Sequence, residues 1–121
     1  MILFLAFFVS TQTLGSNAYP PDADCQNYDG GSTMAMSECF QMQSDIWEKR
    51  LNLEYRAAMK RAEVDPGKLR TGQRAWLRYR DANCDTYYSV EGTIHTILTG
   101  LCWRDMTRAR TLELRDMSWT G

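Results

Sequence analysis

The residues able to support chemistry are few, and their spacing suits binding better than catalysis. His95 is the single histidine, flanked by Thr93 and Thr96, and one imidazole without a second makes a poor metal site. The four cysteines, Cys25, Cys39, Cys84 and Cys102, include no CxxC pair, so an all-cysteine zinc site would have to gather four isolated ligands. Carboxylates at Asp45, Glu48, Glu54, Glu63, Asp65 and Asp81 are scattered, with no spacing that marks an acid–base pair. A Cys/His nucleophile needs a free thiol, whereas an even cysteine count in a short exported chain implies two disulfides. These residues predict no catalytic group, no metal and no cofactor.

The more informative stretch is QRAWLRYRDANC, residues 73–84. At helical spacing Leu69, Gln73, Trp76, Arg80 and Cys84 share one face, so an apolar stripe carries a cation in its middle. An unpaired buried charge costs several kcal/mol, so Arg80 is expected to lay its stem on Trp76 and take Glu48, Asn52 or Asp81 as polar partner. Arg110 interrupts a second stripe, made of Trp103, Met106, Leu114 and Met117. Together these residues predict one shared structural polar cluster of Glu48, Asn52, Arg80, Asp81 and Arg110.

Three helices must position that cluster. Met36, Phe40, Trp47, Leu51, Tyr55, Ala58 and Ala62 recur at helical spacing over about 34–63, with Ser32 or Thr33 as cap. VDPG breaks the pattern, and a second helix spans about 67–88. SVEGT forms the next loop, with Thr93 as a possible cap, before a third helix over about 94–117. With no strand pattern and no repeat, the expectation is all-α: a small up-down bundle of about three helices. Ahead of it YPPDADCQNYDGG, within 19–33, reads as an irregular segment.

Axial counting then bears on the cysteines. If the first two helices turn at residues 65 and 66, Cys84 stands roughly 12 Å along the axis from Cys39. That exceeds the usual disulfide separation of about 4.4 to 6.8 Å. Cys102 comes within roughly 6 Å of the level of Cys84. Cys84–Cys102 and Cys25–Cys39 are therefore the favoured pairs, and two other connectivities stay open.

The chain has 121 residues and a net charge of -1, which suits a single domain and argues against nucleic acid as partner, since phosphate binding needs a basic surface. Its opening MILFLAFFV is too short to span a bilayer. With the small residues Ser16 and Ala18 behind it, the run reads as a signal peptide over 1–18, although no Lys or Arg precedes Lys49. Cleavage before Tyr19 would leave a periplasmic or secreted protein with no stable membrane insertion.

Met36 and Cys39, RLNLEY (50–55), QRAWLRYRDANC (73–84), EGT (91–93), Cys102 and TRARTLEL (107–114) together resemble the LprI-like lysozyme-inhibitor domain family of small exported bacterial proteins. The resemblance covers roughly 25–115. Two positions depart from the family pattern: Glu48 stands where an aspartate is common, and EGT where a Gly-Gly pair is usual. The resemblance implies a binding protein for a lysozyme-type hydrolase.

An inhibitor of a cationic muramidase would present carboxylates and tyrosines, which nominates Tyr28, Tyr87, Tyr88 and Glu91 as contacts. Against this, Tyr87 and Tyr88 would serve equally well to close the bundle end. Asp22, Asp24 and Asp29 are expected to solvate a flexible tail rather than to bind. Two other functions fit the same sequence: an immunity-type protein against a bacterial wall-degrading toxin, and a structural or stress-related envelope protein with no hydrolase partner.

Overall fold

The computed structural model describes residues 18–117; the expected signal segment lies outside them except for Ala18. A 3-10 turn at Tyr28–Gly30 precedes three helices, α1 (Thr33–Met59), α2 (Pro66–Tyr88) and α3 (Ile94–Asp116), and the described residues contain no strand. The expected all-α bundle is the architecture observed.

Local chemistry sets the boundaries. Ser32 Oγ accepts from Ala35 N at 3.1 Å and starts α1. The helix ends at Met59 rather than near 63, because residues 60–64 tighten into successive turns ahead of the Asp65-Pro66 step. Ala62, expected on the apolar stripe, is consequently exposed. Asp65 caps α2 by accepting from Lys68 N at 3.0 Å, with Pro66 in the first turn, where a missing N–H costs nothing. Thr93 flanks α3 without a side-chain cap bond; instead His95 Nδ1 lies 2.6 Å from Gly92 O.

The tightest packing is between the parallel helices α1 and α3, while α2 leans on α3 more than on α1. Small and short residues allow this. Gly100 lies against Phe40 so closely that an added Cβ would sit 3.0 Å from the Phe40 Cβ, and Thr107 and Thr111 are fully buried on α3. Thr111 Oγ1 donates to Thr107 O at 2.7 Å, which satisfies a hydroxyl that burial would otherwise penalise. The apolar core falls into two pieces, Leu51, Ala58, Leu69 and Leu114 at one end and Cys25, Cys39 and Phe40 at the other. Arg80 and Thr107 occupy the waist between them.

The segment ahead of α1 is not the solvated tail expected. Asp22 is 12% exposed and accepts from Trp47 Nε1 at 2.6 Å and from Arg108 Nη1 at 2.6 Å. Gln43 Nε2 donates to Ala23 O at 2.6 Å, and Arg50 stacks over the rings of both Tyr19 and Trp47. Asp24 accepts from Gln26 N, and Asp29 stays exposed. The segment is a strap, held because an acid beside an indole N–H and two α3 arginines gains paired hydrogen bonds that free water would not replace at equal geometry. Cys25–Cys39 anchors its far end and Cys84–Cys102 joins α2 to α3, with Cα separations of 5.6 and 5.5 Å.

Two expectations follow. Replacing Cys84 and Cys102 together with Ser opens a cross-link 18 residues in span and should cost about 3 kcal/mol in denaturant unfolding; a cost near zero would mean that packing alone fixes α2. Burial of Tyr19 and its hydrogen bond to Glu54 push its phenol up to about 12. Its contribution to stability is therefore complete below the usual tyrosine value near 10 and is lost as pH rises toward 12. Ultraviolet titration of the folded protein should show one late tyrosine that disappears in Tyr19→Phe.

Candidate functional site

The waist is built around one cation. Arg80 is 5% exposed, and its guanidinium lies 4.0 Å from the centre of the Trp103 ring and 4.9 Å from that of Trp76. Nη1 donates to Glu48 at 2.8 Å and to Thr107 Oγ1 at 3.3 Å, and Nε reaches Asp81 at 3.4 Å. Two aromatic faces and three oxygen acceptors replace the water that Arg80 gives up. Glu48 belongs to α1, Arg80 to α2 and Trp103 with Thr107 to α3, so this side chain ties all three helices together.

The two other members expected in the cluster are not bonded to Arg80. Asn52 is exposed and makes no side-chain hydrogen bond among the described residues. Arg110 donates from Nε to Gln73 at 2.9 Å and from Nη1 to Glu113. Gln73 precedes Arg80 by seven residues, roughly 10 Å along α2, too far for a common set of partners. Trp103 and Thr107 were missed as Arg80 partners, the first because its ring reads as core, the second because a threonine in a helix carries no pairing signal.

On either side of the Arg80–Glu48 bridge the α1–α2 face stays open. Toward the start of α1, a groove of about 330 Å³ is lined by Gln41, Ser44, Asp45, Tyr88 and Trp103 among others. Toward its end, a groove of about 340 Å³ is lined by Glu48, Asn52, Tyr55, Arg70 and Arg74 among others.

The nominated contacts gather at one end. The 3-10 turn, the start of α1, the end of α2 and the start of α3 all meet there, bringing Tyr28, Tyr87, Tyr88 and Glu91 to a common, solvent-exposed end. Tyr88 is 63% exposed and packs edge-on to His95 with ring centres 5.0 Å apart. Met34, Val90 and Ile94 are exposed beside them, so the end is apolar as well as tyrosine-bearing.

Charge is segregated along the same axis. Residues 18–48 and 81–103 carry nine carboxylates and no Lys or Arg, while 49–80 and 104–117 hold all fourteen Lys and Arg with six carboxylates. Arg104 and Arg108 lie at the border and are engaged by Asp22 and Asp105. Asp29, Glu38, Asp45, Asp85 and Glu91 form no ion pair among the described residues. The described residues contain no group of His, Cys, Asp and Glu able to hold a metal ion, and no described helix is long and apolar enough to cross a membrane.

A protein of Rhizobium meliloti (strain 1021), described as "Uncharacterized protein R02472", is 29% identical to the chain, covering 87% of this chain and 86% of its own. No solved structure matches. The family described as "Lysozyme inhibitor LprI" matches residues 25–114, a span from the first disulfide cysteine to the last fully buried leucine of α3. The chain belongs to the LprI lysozyme-inhibitor family.

Proposed function

We propose that this protein is an exported, non-enzymatic inhibitor that binds a cationic lysozyme-type hydrolase through the acidic, tyrosine-bearing end of the bundle. One observation carries the reading: Asp24, Asp29, Glu38, Asp45, Asp85 and Glu91, in stretches without Lys or Arg, form no ion pair among the described residues and accompany tyrosines exposed to solvent at this end. Such a surface attracts a basic partner at long range and buries aromatic area on contact. Within it Asp45, without an ion-pair partner among the described residues, lines the same groove as Tyr88 and Trp103. A carboxylate sharing a groove with aromatic side chains suits a lysine or arginine side chain of the hydrolase.

Export fits the two disulfides, which persist in oxidising compartments. Among the described residues the strap's hydrogen bonds and ring contacts come from Tyr19 or later, so cleavage after Ala18 would keep these contacts.

The test is inhibition of purified muramidases, of host and bacterial type, by the oxidised protein lacking residues 1–18. The expected outcome is inhibition of one class, weakening as salt rises. Combining Tyr88→Ala with Asp45→Lys should reduce it at least ~10-fold, the scale of losing one interface anchor and reversing one charge, with the melting temperature unchanged. Absence of inhibition by folded, disulfide-bonded protein, or full potency of the variant, would overturn the reading.

A further inference from the structure

The opposite half of the molecule carries a feature that hydrolase binding leaves unused. Between Asp65 and Asp81 the chain has no carboxylate but five cations, including Arg70, Arg74 and Arg78. These three recur every four residues along α2, all exposed, each a like-charge neighbour of the next. Like charges at this spacing weaken a helix, and here no internal acid offsets the effect: none of the three forms an ion pair or hydrogen bond among the described residues. The remaining arginines are engaged internally, with the exception of Arg56. Across the groove, α1 adds Lys49, Arg56 and Lys60, also exposed and without ion pairs among the described residues.

We propose that this basic α1–α2 face docks the protein peripherally on an anionic phospholipid surface. Six cations on two adjacent helices present a broad positive surface rather than a single pocket, which matches a plane of phosphate headgroups better than one small anion. Leu53, exposed among the α1 cations, supplies an apolar contact for the headgroup boundary. Segregation of charge also orients the molecule, because a negative surface attracts the basic half and repels the acidic one. The acidic end would then face away from the membrane, toward a soluble partner. This inference does not depend on the inhibitor reading.

The experiment is co-sedimentation of the oxidised protein lacking residues 1–18 with vesicles of phosphatidylglycerol in phosphatidylcholine, against phosphatidylcholine alone, at low and physiological salt. Binding should require phosphatidylglycerol and weaken with salt. Combining Arg70→Gln, Arg74→Gln and Arg78→Gln should weaken it roughly ten- to hundred-fold, with helicity and melting temperature retained, since glutamine keeps the helix and removes the repulsion. Equal binding by the triple variant, or no preference for phosphatidylglycerol, would overturn the proposal. So would calorimetric binding of free glycerol phosphate without vesicle association, which would make the Arg70–Arg74 groove a small-anion site instead.

Discussion

A guanidinium removed from water is expensive unless its donors and its charge are both matched, and Arg80 meets that condition only when three helices are in place together. Glu48 supplies the carboxylate from α1, Thr107 a hydroxyl from α3, and Trp76 and Trp103 the two aromatic faces. Since α1 and α2 pack on α3 more closely than on each other, the Arg80–Glu48 bridge is what spans the open face between them. A hydrophobic residue in this position could fill volume but would specify register less sharply, because apolar contact is less directional than a charge-assisted hydrogen bond. The charge makes register specific at the waist, where the two apolar cores leave off.

From that fixed frame the rest of the surface acquires meaning. The disulfides lock the strap and the α2–α3 pair, so the residues around Tyr88 and Glu91 are presented on a braced end rather than on a loose loop. Preorganisation of this kind lowers the ordering cost of binding. The same bracing keeps the acidic and basic halves at opposite ends, turning a chain with net charge of only -1 into a molecule with two distinct electrostatic faces. Net charge alone hides this, which is why composition argued against a nucleic-acid partner and was silent about a dipolar surface.

Much of the architecture was legible in residue types. Proline, glycine and the Asp65 cap marked the helix breaks, period marked the faces, and axial counting separated Cys39 from Cys84 enough to favour the pairing now seen. The strap was not legible. Pro20, Pro21 and Asp22 look like a loop by composition, and Asp22 finds Arg108 only because α3 runs parallel to α1, a contact spanning 86 residues. Likewise Arg110 and Arg80 look equivalent on paper, and their different partners emerge only once the level of Gln73 on α2 is fixed. The close approach of α1 and α3 rests on Gly100, Thr107 and Thr111, residues that a hydrophobic pattern passes over.

The most direct test is a double-mutant cycle on Glu48→Ala and Arg80→Met, followed by chemical denaturation. Removing Glu48 leaves a 5%-exposed cation without its main carboxylate and should cost about 3 kcal/mol, whereas Arg80→Met leaves carboxylates that are 41% and 60% exposed and a Thr107 hydroxyl that can still bond within its helix, and should cost less, about 1–2 kcal/mol. The double variant should then be far more stable than the sum of the two losses predicts, with a coupling of about 2 kcal/mol. Additive losses, or Glu48→Ala without effect, would contradict the claim that this buried ion pair holds the three helices in register.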